Sequence, residues 1–564
     1  MKKLLIFIAI GSIVLFLGKN LLPGNTMFDF HDETQPARIA EFSFDLAHGQ
    51  IPPRIAPHFS FNLGYPVFNY YAPFSYWTTS LIHIIGFDIA DSLKLSFLIA
   101  YIVGFMGMYF FLRNFLKDLP SLFAASLFIS SPYFALDTFI RGNLAEIWLI
   151  VLIPWVLYFL YKNSNTDSPY FFAGTALITS FAISAHNVLS LIFLPVMIIF
   201  IFLHKHPKKN IIAMGLGLAL ASYYLIPAVL ENSLTNAGEI AKRTNYMHHF
   251  LCIKQVWTGV WGYGGSLPGC DNDGMSYMLG KIQLLVSAGG AIYLLFTVLR
   301  KGMKELRVFI LILLLTVMSI FMSTYQSAFI WKIFEPILSL FQFPWRFLAF
   351  ATFGNAVLGG YLVSRFKNPV FSVFLVILII LPITYNAKFF TKYQHTKSEF
   401  NSNYLSKKYL ETGVVYKIAE YLPKTVNFNE WWSYNPQPDG SEKKDNNVSK
   451  GPIVALDAKP NKLSINYEYK KQSQTTSQKI LLNVHYFPYW KILVDDKQIV
   501  PDTFDKLGRP ILQFKNSQNR NISLQFRQTN IEIFGNVITV LAFLLIGLLT
   551  LNSSLWKRMQ RMLN

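Results

Sequence analysis

Residues 92–112 read SLKLSFLIAYIVGFMGMYFFL, a run whose only charge is Lys94. At 1.5 Å per residue such a helix is about 30 Å long, the thickness of a bilayer's hydrocarbon layer. It is apolar on every face, so it reads as a membrane span and not as a surface helix. Working outward, similar blocks recur at 4–22, 119–137, 143–161, 169–185, 187–203, 210–228, 281–299, 307–323, 346–365, 369–386 and 534–552. Of the 564 residues, 52% are hydrophobic and 14% charged, against about 25% charged in soluble domains. The expected fold class is an α-helical polytopic membrane protein with about twelve transmembrane helices. Two cysteines exclude a disulfide scaffold and a Cys-ligated cluster. No P-loop or dinucleotide fingerprint is present, so nothing in the sequence marks a nucleotide-driven pump.

The basic residues set the expected orientation. Short cytoplasmic loops collect Lys and Arg, and every second connection here is basic. These carry Lys2 and Lys3; Arg113 and Lys117; Lys162; Lys205, Lys208 and Lys209; Arg300, Lys301, Lys304 and Arg307; Arg365 and Lys367; and Lys557, Arg558 and Arg561. The alternation requires that 72–87 (APFSYWTTSLIHIIGF) lie in the interface without crossing, and that the first block stay as an anchor rather than a cleaved signal. Both termini are then cytoplasmic. Segments 23–91, 229–280 and 387–533 are exoplasmic, as expected of a multi-pass plasma-membrane protein. Cys252 and Cys270 both fall in the second of these segments, a candidate disulfide on an oxidising side.

Three domains follow. Residues 1–386 form the transmembrane part, and 387–533 an exoplasmic mixed and β-rich part. Residues 534–564 hold the last span and a basic cytoplasmic tail. From about 453 the chain alternates in runs such as KILLNVHY, WKILV and ISLQF, strand-length pieces of a β-sandwich-like domain. Val494-Asp495-Asp496-Lys497 reads as a hairpin turn, and a short helix is expected near 404–421.

Chemistry is expected in the first exoplasmic loop, at Met27-Phe28-Asp29-Phe30-His31-Asp32-Glu33-Thr34-Gln35-Pro36-Ala37-Arg38. A carboxylate beside a low-dielectric slab is placed to act as a general base, because desolvation raises its proton affinity. The alternative is helix capping by Asp32 or Thr34 ahead of a helix over 35–47. No cofactor is fixed; a divalent metal on Asp29, His31, Asp32 and Glu33 stays open, although adjacent residues cannot all reach one ion. Further candidates share the same membrane face: Arg54, Tyr70, Arg141, Glu146, His186 and Arg346. Arg141 and Glu146 could equally be a structural pair, His186 a plain turn residue, and Arg346 a snorkelling cation.

A multi-span chain with an acidic first exoplasmic loop resembles the GT-C superfamily of membrane glycosyltransferases. More closely, His31–Arg38, Gly49-Gln50-Ile51-Pro52-Pro53-Arg54, Gly64-Tyr65-Pro66 with Asn69-Tyr70-Tyr71-Ala72-Pro73, Arg141 with Glu146, and Phe343-Pro344-Trp345-Arg346 resemble the bacterial membrane proteins labelled 6-pyruvoyl-tetrahydropterin synthase-related. His485-Tyr486-Phe487-Pro488-Tyr489-Trp490 is similar to the end of YfhO-type proteins. The resemblance implies a GT-C-like transmembrane fold in which a first-loop acid is base or metal ligand, with Asp32 first and Glu33 and Asp29 behind it.

Nucleotide sugars are absent outside a cell membrane, so the expected donor is a polyprenyl-phosphate-linked sugar. The expected acceptor is a glycan or other envelope molecule. Asp32 would deprotonate the acceptor hydroxyl, and Arg346, with Arg54 or Arg141, would stabilise the leaving phosphate. His31, Arg38, Tyr70, Glu146 and His186 would position substrates. Membrane lipid is the other expected partner, and nucleic acid is not one. The alternative function is a transporter or a non-catalytic assembly factor for lipid-linked glycans, which would show charges near the midplane and broken spans in paired halves.

Overall fold

The computed structural model describes residues 2–238, 245–366, 379–391, 394–417, 419–434, 454–457, 468–473, 479–514 and 520–563. Five helices among them are long and apolar enough to cross a membrane: Ile89–Leu112, Leu144–Asn165, Lys281–Lys301, Pro344–Val363 and Asn530–Leu551. Two bent pairs raise the number to seven, Asp118–Ile129 with Pro132–Arg141 (45°) and Pro207–Leu220 with Ser222–Leu230 (73°). Pro169–Ala185, Asn187–Phe202 and Arg307–Ser323 are apolar but shorter. Most of the block expected at 369–386 lies outside the described residues. The segment at 72–87 forms Phe74–Ile84, an 11-residue helix, about 16 Å long and too short to span.

Caps mark where several of these helices begin. The Asp88 carboxylate accepts from the Asp91 amide ahead of Ile89–Leu112. The Asn143 side chain accepts from the Glu146 amide, and Thr529 with Glu532 forms a reciprocal capping box on the last span. In the packed helices, small residues let backbones touch where lipid gives no hydrophobic drive. A Cβ on Gly290 would meet the Leu358 carbonyl, and one on Gly354 the Thr316 hydroxyl. Leu144–Asn165 and Pro344–Val363 are central, with 78% and 89% of their apolar windows buried. Asn530–Leu551, at 22%, is peripheral.

Among the described residues the C-terminal part holds a three-stranded and a four-stranded sheet. Trp490, Ile492 and Val494 alternate inward along Trp490–Val494. They join Ile480, Leu482 and Leu512 of the other sheet, and Leu524 and Phe526, in one apolar cluster. Val494 pairs with Lys497 across Asp495 and Asp496, whose φ values of 49° and 63° are those of a two-residue primed turn. Part of the alternating stretch that begins near 453, including 458–467 and 474–478, lies outside the described residues. The helix expected near 404–421 is displaced: Lys397–Tyr404 is helical, and one π turn (Tyr409–Gly413) and one 3-10 turn (Val415–Lys417) follow.

The sheets are clasped to the first loop. His485 Nδ1 lies 2.8 Å from the Leu507 carbonyl and its Nε2 2.7 Å from Ser60 Oγ. The carbonyl needs a donor, so the ring proton sits on Nδ1 and Nε2 accepts from the hydroxyl. Trp431 Nε1 also donates to Ser60 Oγ at 2.9 Å. Cys252 and Cys270 are bridged, with Cα atoms 5.5 Å apart.

Candidate active site

The site starts with a backbone zipper. The second half of the bent Asp118–Arg141 segment ends in a π turn, Leu136–Arg141, and Gly142 closes it in the left-handed region at φ 64°. Any Cβ there would strike the Phe30 ring, so the position requires glycine. The freed carbonyls of Ile140 and Arg141 accept from the His31 amide (2.9 Å) and the Asp32 amide (2.8 Å). A π bulge in one helix thus fixes where the first-loop acids stand.

The three acids then separate. Asp29 Oδ2 pairs with His395 Nε2 at 2.6 Å, and Tyr404 donates to its Oδ1 at 3.5 Å. Glu33 pairs with Lys417. The Asp32 side chain has no hydrogen bond or ion pair among the described residues and is half-buried. Its charge acts on Tyr71, Tyr76, Arg141 and Arg346. The capping alternative is not what forms: Glu33 occupies the cap position of Thr34–Ala47 in a helical conformation, with no side-chain cap bond. Among the described residues no three His, Cys, Asp or Glu side chains converge as a metal-ligand set.

Arg141 is committed. It bonds Glu146 Oε2 at 2.7 Å and pairs with Asp137, while its guanidinium lies 4.4 Å from the centre of the Trp345 ring. Tyr133 donates to Glu146 Oε1 at 2.7 Å. Arg346 is different. Its one hydrogen bond among the described residues goes to the Phe341 carbonyl at 2.9 Å, and no carboxylate pairs with it. Its Nε is buried without an acceptor, a state that costs about 1–3 kcal/mol. Glu146, Arg141 and Asp32 are the charges around it, with the Tyr71 phenol beside them. His186 faces the same group electrostatically. Its Nδ1 accepts from the Val188 and Leu189 amides at 3.2 and 3.3 Å, which leaves Nε2 as the N–H of a neutral ring. Arg38 borders the site through Tyr71, over whose ring it sits at 4.5 Å, and through Tyr76 at 3.2 Å.

The disulfide-bridged loop covers one side. His31 Nε2 contacts the Tyr263 carbonyl, Tyr277 packs on Trp345 with ring centres 5.5 Å apart, and His249 packs on Phe343 at 4.7 Å.

Arg54 and Tyr70 stand elsewhere. Arg54 is buried and bonds Asn69 Oδ1 (3.1 Å), the Tyr223 carbonyl (2.8 Å) and Asn536 Oδ1 (2.9 Å). Asn69 donates to Glu532 Oε1 at 2.6 Å, and Thr529 donates to Glu231 Oε1 at 2.6 Å. Tyr70 donates to the Glu231 carbonyl at 3.2 Å and stacks on Tyr421. This second cluster ties the first loop to the last span. Sequence reasoning missed Asp137, Tyr133 and Trp345 as partners in the first cluster. Asp137 did carry a signal, its i, i+4 spacing to Arg141, hidden by its place at the end of an apolar block.

Comparison with solved structures gives matches of low similarity. The arabinofuranosyltransferase AftD from mycobacteria matches at TM-score 0.46 and 13% identity, over 69% of this chain and 26% of that one. AglB, an archaeal oligosaccharyltransferase from Archaeoglobus fulgidus in complex with an inhibitory peptide and a dolichol-phosphate, matches at 0.43 and 11%, over 80% and 62%. ArnT from Cupriavidus metallidurans bound to undecaprenyl phosphate matches at 0.39 and 14%, over 65% and 61%. The chain therefore spans about a quarter of AftD and three-fifths of the other two. No curated protein matches. Residues 68–392, more than half of the chain, match the family described as 6-pyruvoyl-tetrahydropterin synthase related domain; membrane protein. The chain belongs to that family of membrane proteins.

Proposed function

We propose that the chain is a membrane glycosyltransferase that moves a sugar from a polyprenyl-phosphate donor to an envelope acceptor at the exoplasmic face. The observation that carries the reading is the contrast inside one cluster. Asp32 and Arg346 lie within electrostatic reach of each other, and each lacks the ionic partner that its neighbours have. A free carboxylate is what a general base needs, and a guanidinium with only one acceptor, the Phe341 carbonyl, has donors left for a leaving phosphate.

In the proposed reaction Asp32 takes the proton of an acceptor hydroxyl as its oxygen attacks the anomeric carbon. The bond from that carbon to the phosphate oxygen breaks with inversion, and the lipid phosphate leaves against Arg346. Arg141, held by Glu146 and Asp137, keeps the π turn and so Asp32 in place. The Nε2–H of His186 offers one more donor. Arg54 and Tyr70 take no part, because Arg54 is held by three acceptors and Tyr70 by the Glu231 carbonyl. The two-sheet domain, sandwich-like in its shared core, stands beside the first loop and would hold the acceptor. The acids Asp29 and Glu33 act as fastenings to the 394–417 segment.

The two bent helix pairs keep the transporter reading as the second one, since broken spans recur in transporters. Proteoliposomes holding the full chain and a radiolabelled polyprenyl-phosphate sugar separate the two. Transfer predicts label in a new glycosidic bond together with free polyprenyl phosphate. Label crossing the bilayer still attached to its lipid, with no new bond, would replace this reading with the second.

A further inference from the structure

Beyond the last span the chain folds into one more helix, Ser553–Leu563, with the sequence SSLWKRMQRML. Asn552 ends the span and starts this helix, its Oδ1 accepting from the Ser554 and Leu555 amides at 3.0 and 3.1 Å. At about 100° per residue, Leu555, Trp556, Met559 and Met562 fall on one face, and Lys557, Arg558 and Arg561 on the opposite one. The helix contains no acidic residue.

The apolar face is only half used by the protein. Trp556 is buried against Phe172 with ring centres 5.5 Å apart, and the Lys209 ammonium lies 5.4 Å from its ring centre. The same stripe runs on to Leu555 and Met562, which are 37% and 75% exposed. All three cations are exposed, and none has a carboxylate partner among the described residues. Lys208, in the first turn of the neighbouring Pro207–Leu220 helix, and Lys205, just before that helix, are also exposed. Among the described residues Asp167 pairs with Lys209 next to them, at 3.8 Å. Phe172 opens the Pro169–Ala185 helix that ends at His186, about 20 Å further along. The basic helix therefore stands at the end of the bundle remote from the candidate active site.

We propose that Ser553–Leu563 is an interfacial helix that binds anionic phospholipid headgroups on the leaflet opposite the site, with Leu555 and Met562 inserted at the acyl boundary. An apolar stripe continuous with the outside of a span, opposed by three unpaired cations, matches a negatively charged lipid surface in both shape and charge. Each cation near such a surface contributes about fivefold in partitioning, so three give roughly a hundredfold. The inference is independent of the transfer chemistry.

The test uses the full chain, whose two native cysteines are bridged, carrying Met562→Cys or Ser554→Cys labelled with a polarity-sensitive fluorophore. Nanodiscs are made of phosphatidylcholine alone or are rich in phosphatidylglycerol. In anionic discs the label at 562 should become several-fold less accessible to acrylamide and be quenched by a lipid-borne spin label. The label at 554, on the polar face, should stay accessible. Lys557→Gln/Arg558→Gln/Arg561→Gln should abolish the shift at 562, and free inorganic phosphate added to neutral discs should not produce it. Equal accessibility of 562 in the two lipids, or a shift that survives the triple substitution or is reproduced by free phosphate, would overturn the proposal.

Discussion

Two buried arginine clusters lie in the polar parts of this membrane protein, and they differ in how completely they are satisfied. Around Arg54, three acceptors at 2.8–3.1 Å and a chain through Asn69, Glu532, Thr529 and Glu231 leave little for a ligand to do. Each of Arg54 and Arg346 keeps a buried Nε without an acceptor, but Arg346 has a single acceptor, the Phe341 carbonyl, and Asp32 beside it has no ionic partner among the described residues. Burying charge is costly unless each group finds partners. The Arg54 cluster comes nearer to that condition, with three acceptors on one guanidinium, and acts as a fastening. The Arg346 cluster, the more open of the two, meets it only with something added, which is the physical signature of a binding site.

The largest expected effect tests the open cluster. Asp32→Asn should lower sugar transfer by about 10²–10⁴-fold, the range of general-base catalysis, with unchanged thermal stability. Asp29→Asn and Glu33→Gln should stay within about tenfold of wild type, since those acids hold the 394–417 segment and not the substrate. Loss of transfer in all three variants alike would erase the distinction among the acids.

Next comes the Arg54 cluster. Arg54→Met should destabilise the chain by about 3–5 kcal/mol, because it leaves the Glu532 charge buried beside vacant amide acceptors. Denaturation in detergent measures it, and the fraction still folded should turn over normally. A stable Arg54→Met protein with abolished turnover would move Arg54 into the active site.

Arg346→Lys sharpens the same contrast. A lysine keeps the charge but loses the planar fork that grips a phosphate at two oxygens, so transfer should fall by about tenfold to a hundredfold, with little change in melting. An unchanged rate would show that charge alone suffices there.

The smallest effect concerns pH. Burial pushes the Glu231 carboxyl up to about 7, against the opposing pull of Thr529 and Arg54. The unfolded value is near 4.3, so the folded state binds this proton more tightly. Its contribution to stability is therefore full at low pH and declines as pH rises through about 7. Glu231→Gln should flatten that decline and raise the apparent melting point at pH 8 by about 1–3 °C. A wild-type protein whose melting is flat between pH 5 and pH 8 would contradict this.

Much of this architecture could be read from residue patterns, because spans, caps and hairpins are local. The apolar block at 92–112 and its helix Ile89–Leu112 nearly coincide, and Asp495-Asp496 turns where two turn-forming residues interrupt an alternation. The break inside 119–137 was not legible, since a bend at Ser130-Ser131-Pro132 leaves average hydropathy unchanged. Within the site, the resemblance pointed to Asp32, Arg141, Glu146 and Arg346 and the membrane-face position to His186, and the structure brings these five together. It could not separate Arg54 from Arg346, because what distinguishes them is the set of partners each meets across distant sequence. The same holds for Asp29 and Glu33, whose partners His395 and Lys417 lie more than 360 residues away. The short pairing of Thr26–Phe28 with Gln394–Thr396 that brings these partners close shows no alternation to read.

The most direct test of the central claim is a structure of the full chain with a polyprenyl-phosphate sugar bound. The phosphate should lie within about 3 Å of the Arg346 guanidinium, with the anomeric carbon facing the Asp32 carboxylate. A phosphate seated instead on the Arg54 cluster, or a sugar turned away from Asp32, would contradict it.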